Sequence, residues 1–331
     1  MTRQFEPLDD LLRRHRIDPA SEEPFPNDGW SGATLTRFRD HSGRPYVLKR
    51  DSLEQDWIAR ATNDTFLRES WFAIKGPDLP WPVRNPVLGA GATPVTGEVA
   101  ILMPDLSNVL FEWNTKLTPA QLDAVLSALV ALHGVVPKDA AAWTGWEDRL
   151  TLISRPSLER PGPAHDAVAE RLLPGWDAWD RLATPEARRI VADLADDIVP
   201  LLDALAAAPS SLLHGDLKLA NVGIASDGAV EMVDWQMVTV APCGVELGWF
   251  LVANVNALPL PPQDVLQRYW DIRGITAGMQ DHIAILVGLL LRGWRKGLDA
   301  EAGITLGSGV SARDDLAWWS EQAVEAADRL F

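Results

Sequence analysis

Ser211-Leu-Leu-His-Gly-Asp-Leu-Lys-Leu-Ala-Asn-Val-Gly-Ile224, followed beyond a turn at Gly228 by Ala229-Val-Glu-Met-Val-Asp-Trp-Gln236, breaks the helical spacing of the residues on either side of it. Its short apolar runs are bounded by Gly, Asp and Asn, so it reads as two short strands around a loop rich in chemistry. Asn221 follows Asp216 at +5, and Asp234 closes an apolar run eighteen residues after Asp216. Phosphoryl transfer from a nucleotide needs an acid group to orient the attacking hydroxyl, oxygen ligands for a magnesium ion, and a cation near the α and β phosphates. In this spacing an Asp on the loop can face the hydroxyl while Asn221 and Asp234 converge as hard oxygen ligands. Taken singly, Asp216 would pass for an Asx-turn residue and Asn221 for a turn former. Their joint spacing is what points to a site.

Outward from this block the chain changes character. Leu8 to Arg16 has the spacing of a short surface helix, and the Pro- and Asp-rich stretch through Asp28 reads as a loop. Gly29-Trp-Ser-Gly-Ala-Thr-Leu-Thr-Arg-Phe-Arg39 and Pro45-Tyr-Val-Leu-Lys49 alternate around the turn residues His41-Ser-Gly-Arg44, which predicts a hairpin. A helix is expected from Thr65 to Lys75, capped by Asn63 or Asp64, with Phe66, Trp71 and Ile74 as its apolar side. Strands are expected around Pro86 to Leu88 and Glu98 to Met103. Beyond Leu106 the period becomes helical, first from Thr118-Pro119 to His133-Gly134. Arg155 to Pro163 reads as a loop, Pro185 to Ala208 as one long amphipathic helix, and Gln263 to Phe331 as mostly helical. The plan is α+β and two-lobed: residues 1–105 rich in strands, residues 106–331 helical with the quoted block inserted.

The 331 residues, 47% of them hydrophobic, suffice for buried cores, so disorder is not expected. Lys+Arg 30 against Asp+Glu 46 leaves a formal charge of -16, which repels phosphate backbones and argues against a nucleic-acid partner. Cys243 is the single cysteine and can form neither an internal disulfide nor a thiolate zinc site. Met1-Thr-Arg-Gln-Phe-Glu-Pro7 has no basic stretch leading into an apolar run, and the longest apolar stretch, Ile283 to Leu291, falls far short of the ~20 residues of a membrane span. A cytoplasmic protein with no membrane partner is expected. Trp 15 against Tyr 2 fits either large core side chains or aromatic platforms for a ligand.

His214-Gly-Asp-Leu-Lys-Leu-Ala-Asn221 followed by Val233-Asp-Trp235 resembles the aminoglycoside phosphotransferase family, small-molecule kinases of the bilobal protein-kinase-like fold. Where protein kinases carry H-R-D-x-x-x-x-N and D-F-G, Gly215 here replaces the Arg and Trp235-Gln236 follows the Asp. The resemblance implies that Asp216 is the catalytic base or orienting residue, that Asn221 and Asp234 hold Mg²⁺, and that His214 supports the loop. Lys218 is either a cation that reaches the transferring phosphoryl or a solvated loop lysine. With no Arg beside Asp216 to answer an activation-loop phosphate, constitutive activity is expected.

Lys49, ending Tyr46-Val-Leu-Lys49, resembles the phosphate-contacting V-A-I-K lysine; its helix-borne partner would be Glu69, with Glu54 also nearby. Trp30-Ser-Gly-Ala-Thr34 lacks the G-x-G-x-x-G run, so Ser31 and Gly32 either cap phosphate oxygens with backbone amides or form a strand-entry turn. Ala100-Ile-Leu-Met-Pro-Asp-Leu106 resembles the hinge between lobes. There Met103 would line the nucleotide pocket, Pro104 would offer its carbonyl to the base, and Leu106 its N–H. More than a hundred residues separate this hinge from His214, a surplus that the resemblance assigns to an acceptor site. Ala241-Pro-Cys-Gly-Val-Glu-Leu-Gly-Trp-Phe-Leu251 resembles the family's Pro-x-x-x-Asp-Leu-Ala segment, with Glu246 and Gly248 where Asp and Ala are usual, a departure that bears on local packing.

The expectation is a Mg²⁺-dependent phosphotransferase that moves the γ-phosphate of ATP or GTP to a hydroxyl of a small molecule, an aminoglycoside-like or other antibiotic first. An acidic surplus suits a cationic acceptor, such as an aminoglycoside, a basic peptide antibiotic or choline. It serves solubility equally, and a metabolite acceptor (amino sugar, sugar or nucleoside) stacked on Trp faces stays open. A choline-like acceptor would need an aromatic cage. A non-catalytic nucleotide-binding regulator would be favoured by loss of Lys49, Asp216, Asn221 or Asp234, all of which are present. A protein kinase is disfavoured by Gly215, by Asp234-Trp-Gln236 and by the lack of an A-P-E segment after it.

Overall fold

The period-two pattern between Thr34 and Asp51 builds the N-terminal sheet. In the computed structural model, which describes residues 5–26, 29–93, 97–137, 145–160 and 163–331, the chain opens with β1 (Glu6–Pro7), α1 (Leu8–Arg14), β2 (Ile17–Pro24), β3 (Thr34–Asp40) and β4 (Pro45–Asp51). β3 and β4 form the expected antiparallel hairpin, with Leu35 opposite Lys49 and Phe38 opposite Tyr46. Asp40 closes the turn, its Oδ1 accepting the N–H of Ser42 at 2.8 Å and of Arg44 at 2.9 Å. Alternate side chains face opposite ways, so Phe38 and Leu48 pack with Leu11, Ile17 and Leu102, while Val47 gathers with Ile101 and Met103 on the other side.

Next come α2 (Trp57–Ala61), α3 (Arg68–Lys75), β5 (Val83–Arg84), β6 (Gly89–Ala92) and β7 (Val99–Pro104), and the six-stranded sheet runs β1-β6-β7-β4-β3-β2. Three expectations need correction here. The stretch expected to loop through Asp28 contains β2, an edge strand paired with β3 across an irregular register; Pro19 and Pro24 are tolerated at an edge, where no further strand needs their N–H. Asn27 and Asp28 lie outside the described residues. The helix expected from Thr65 begins at Arg68 instead, because the Asp64 carboxylate accepts the N–H of Phe66 at 2.9 Å and of Arg68 at 2.7 Å and holds the intervening residues in a turn. Phe66 is exposed, and Phe72 is the buried aromatic of that helix. Lastly, the strand expected at Pro86 to Leu88 lies at Gly89–Ala92, whose side chains are too small to show an apolar period.

The C-terminal part comprises α4 (Pro119–Leu132), α5 (Trp146–Thr151), α6 (Arg155–Leu158), α7 (Pro163–Leu182), α8 (Pro185–Asp196) and α9 (Val199–Ala207), then β8 (Ser210–Leu213), β9 (Val222–Ile224), β10 (Val230–Met232) and β11 (Thr239–Pro242), and finally α10 (Cys243–Ala253), α11 (Pro262–Arg273), α12 (Gln280–Ala302) and α13 (Ala312–Leu330). Thr118 and Gln121 form a reciprocal capping box at the start of α4, as the Thr-Pro signal predicts. The expected loop at Arg155 to Pro163 holds the short α6, capped by Ser154, and residues 161 and 162 lie outside the described residues. The single helix expected from Pro185 to Ala208 is two: Asp197 is extended (φ -134°, ψ 100°), because Pro200 cannot supply an N–H to the turn before it and fits only near a helix start. α12 packs against α7, α10 and α13. Trp179, Trp235, Tyr269 and Trp319 are fully buried, and burial of a large apolar side chain contributes roughly 1.5–3 kcal/mol. No described helix is long and apolar enough to cross a membrane.

Candidate active site

Two small sheets hold the quoted block. β8 pairs antiparallel with β11, β9 pairs with β10, and β5 adds parallel to β10, so the chain from His214 to Asn221 is suspended between paired strands. Gly215 is there for a steric reason: its φ is +84°, and a Cβ would lie 1.9 Å from the Met237 carbonyl oxygen. Glu246, in the first turn of α10, accepts the N–H of His214 at 3.0 Å and of Gly215 at 2.7 Å. It also meets His133 Nε2 at 3.1 Å, and His133 Nδ1 meets the Tyr269 hydroxyl at 2.7 Å. Burial alone would raise the Glu246 carboxyl, but His133 and the Gly215 N–H reverse this and keep it below its ordinary range. Burial lowers His133, and a neutral ring can donate to Glu246 while accepting from Tyr269. His214 braces the loop in the same way, Nε2 to the Val233 carbonyl at 2.9 Å and Nδ1 to the Asp216 N–H at 3.3 Å.

The ionic groups form a chain across the site. Lys49 Nζ, on β4, lies 2.6 Å from Glu69 Oε2 and 2.7 Å from Asp234 Oδ1. Glu69, in the first turn of α3, is thus its partner, and Glu54 is exposed. Glu69 Oε1 also accepts the Trp235 N–H at 3.2 Å, and Trp235 stacks on Phe72 with ring centroids 4.6 Å apart, so helix α3 and the Asp234 segment are tied together. Lys218 Nζ lies 3.2 Å from Asp216 Oδ2 and 3.9 Å from Asp234 Oδ2. Burial alone would raise the Asp234 carboxyl, but Lys49 and Lys218 hold it well below the carboxylate range. Asp234 sits in the left-handed region (φ 66°, ψ 59°), a conformation that its ion pairs hold in place.

Lys49, Asp216, Lys218, Asn221 and Asp234 all line one cavity of about 660 Å³. At one end stand Ser31, Val47, Met103, Pro104 and Leu106; at the other Trp113, Arg149, Trp249, Arg292 and Trp294. The hinge offers free backbone groups. Asp105 N–H donates to Pro45 O at 3.1 Å, which makes Tyr46 and Pro104 a non-hydrogen-bonded pair and turns the Pro104 carbonyl away from β4. The Leu106 N–H has no partner among the described residues. Gly32 does not line the cavity: its φ is +98° and a Cβ would lie 2.7 Å from the Gln55 carbonyl, so close packing against that turn accounts for the glycine.

Asn221 donates from Nδ2 to the Asp216 carbonyl at 3.0 Å, and its Oδ1 accepts from no donor among the described residues. Together with the ionised Asp234 this gives two hard oxygens, a donor set that suits a magnesium ion sharing phosphate oxygens. No group of three or more His, Cys, Asp or Glu side chains able to hold a metal occurs among the described residues, so a divalent ion here would depend on the nucleotide to complete its shell. Sequence reasoning did not single out Arg149 or Arg292, which belong to no motif; Trp249 was quoted only as part of the Ala241 to Leu251 segment, and Glu246 only as a departure.

A six-stranded sheet beside a helical bundle, with Lys, Asp, Asn and Asp from distant segments on one cavity, defines a small-molecule kinase of the protein-kinase-like fold. The model of the phosphotransferase enzyme family matches residues 24–280, and the chain belongs to that family. No curated protein matches the sequence. Among solved structures, a spectinomycin phosphotransferase in complex with ADP and spectinomycin is 15% identical over 96% of this chain and 97% of that chain, with a TM-score of 0.52. An amicoumacin kinase in complex with AMP-PNP and Ca²⁺ is 14% identical over 97% and 93%, with a TM-score of 0.50. A thermostable mutant of an aminoglycoside phosphotransferase, in a ternary complex with AMP-PNP and hygromycin B, is 14% identical over 97% of each chain, TM-score 0.50. At these identities the likeness is one of fold.

Proposed function

We propose that the protein transfers the γ-phosphate of ATP or GTP to a hydroxyl of a small molecule in a Mg²⁺-dependent reaction, with an antibiotic or a hydroxylated metabolite as acceptor. The observation that carries this reading is the unbroken line of paired charges, Glu69 to Lys49 to Asp234 to Lys218 to Asp216, along one wall of the cavity. Residues 1–105 would form the nucleotide-binding lobe, with the Pro104 carbonyl and Leu106 N–H meeting the base beside Met103 and Ser31 near the phosphates. Residues 106–331 would form the acceptor lobe. Lys49, oriented by Glu69, steadies the α and β phosphates, and Lys218 offsets charge on the transferring phosphoryl. Asn221 and Asp234 would hold Mg²⁺, which supplies charge neutralisation across the phosphates. Asp216 orients the acceptor hydroxyl and takes its proton as the oxygen bonds to the γ-phosphorus, the bond to the β-bridging oxygen breaks, and the nucleoside diphosphate departs. The same reading places the enzyme in the cytoplasm.

The test is ADP and GDP release by the purified protein with Mg²⁺ across hydroxylated acceptors, wild type beside Asp216→Ala. Release that vanishes in the variant while its fold is kept supports the mechanism. Unchanged turnover in Asp216→Ala overturns it.

A further inference from the structure

On the side of the cavity formed by α5 and α12 stand two arginines that make no ion pair with a described residue. Arg149, on α5, is only 5% exposed; its Nη2 donates to the Gly215 carbonyl at 3.1 Å and its guanidinium lies 4.7 Å from the Trp249 ring centroid. Arg292, on α12, lies 5.2 Å from the Trp249 ring and 5.2 Å from the Trp294 ring. Neither makes an ion pair with a described residue, and Arg292 Nε is buried without a hydrogen-bond partner. The neighbouring Arg295 gives the contrast, with Nε 2.8 Å from Asp299 Oδ1. At Arg292 the helix itself is interrupted, φ -144° and ψ 24° marking a kink at the residue that faces the cavity.

Stacking on tryptophan offsets only part of what it costs to withdraw a guanidinium from water. Burial lowers Arg149, and burial with Arg295 and Arg149 alongside brings Arg292 down to about 10, the more distant carboxylates of Asp216, Glu246 and Asp299 offsetting only part of this. Each of these carboxylates is engaged elsewhere, Asp216 by Lys218, Glu246 by the His214 and Gly215 amides and Asp299 by Arg295. The chain carries a formal charge of -16, so this positive end is a local feature set against the surface as a whole. The planar fork of an arginine matches carboxylate and phosphate oxygens.

We propose that the acceptor carries an anionic group, a carboxylate or a phosphate ester, which docks on Arg149 and Arg292 while its hydroxyl lies at Asp216 and its carbon skeleton rests on Trp249 and Trp294. This inference rests on the phosphotransferase reading for the role of Asp216, but the anion site is argued from the arginines alone. It turns the enzyme away from polycationic acceptors and toward hydroxy acids and sugar phosphates.

The experiment is calorimetric titration of the full chain, saturated with Mg²⁺ and a non-hydrolysable triphosphate, by gluconate and glucose 6-phosphate, beside sorbitol and glucose as neutral counterparts and an aminoglycoside as the cationic member. At least one anion should bind tenfold or more tightly than its neutral counterpart, and which one does identifies carboxylate or phosphate as the group recognised. Arg292→Gln should bring that ratio close to one with nucleotide affinity retained, and Arg292→Lys, which keeps the charge without the fork, should hold an intermediate ratio. Equal affinities, absence of binding by every member, preference for a neutral or cationic member, or an unchanged ratio in both variants would each overturn the proposal. So would a variant that weakens nucleotide in place of the anion. Failure of the phosphotransferase reading shows separately, as failure of the wild type to bind nucleotide before any acceptor is added.

Discussion

The two ends of the cavity meet their charges in opposite ways. Around the loop and strand β4, Lys49 and Lys218 each lie within 3.2 Å of a carboxylate, so this end of the cavity balances its own charges. Around α5 and α12, Arg149 and Arg292 have a carbonyl and indole rings for company. The first arrangement is internally balanced; the second leaves two guanidinium groups with no ion pair among the described residues. A residue's role is therefore read from what its charge lacks as much as from what it touches.

The largest effect expected from testing this contrast is at the matched end. Asp234→Ala leaves Lys49 with Glu69 alone and removes one of the two oxygens proposed to hold Mg²⁺, and single-turnover transfer should fall by about 10²–10³-fold or more. A fall of less than tenfold would break the comparison. Gly215→Ala, at the joint between the ends, drives a Cβ into the Met237 carbonyl in a backbone conformation that alanine resists, and should cost on the order of 3 kcal/mol in urea unfolding. Glu246→Gln keeps the shape but replaces one accepting oxygen by a donor facing loop N–H groups, and should cost about 2 kcal/mol in the same measurement. A further test sharpens the contrast with a third kind of balance, a shared proton. Burial and the adjacent Asp56 push Asp51 up to about 8. A raised carboxyl favours the fold while protonated, fully below pH about 4, and this contribution is lost as pH rises through about 8. Asp51→Asn stays neutral throughout, so its melting temperature should fall by a few degrees less than that of the wild type between pH 5 and pH 9. Parallel losses in the two proteins would remove Asp51 as the source.

Much of the phosphate end was legible because its chemistry sets spacing along the chain. The interval from Asp216 to Asn221 and Asp234, and the alternation that presents Lys49, depend on local backbone geometry, and the side chains converge on one cavity. Glu69 was legible once a helix was expected there, although the cap at Asp64 moved its start. β2 was not legible, because edge position licenses prolines that would disqualify an inner strand. The arginines at the other end of the cavity gave no signal. Arg149 and Arg292 lie on helices far apart in sequence, and only the packing of α5, α10 and α12 sets them around Trp249. Glu246 stood out in the sequence as an oddity, and the structure gives it a use: its carboxylate reaches two loop amides and His133 at once.

The contact between Gly215 and Met237 also bears on how such an enzyme can evolve. Gly and Arg codons are a single base apart, so mutation presents the H-R-D form of this loop again and again. Each time the new side chain meets a backbone carbonyl 1.9 Å from where its first carbon must go. The step toward a phosphorylation-controlled loop is short in the genetic code and blocked in space. An arginine side chain in place of Gly215, beside Asp216, would first require rebuilding the segment that holds Met237.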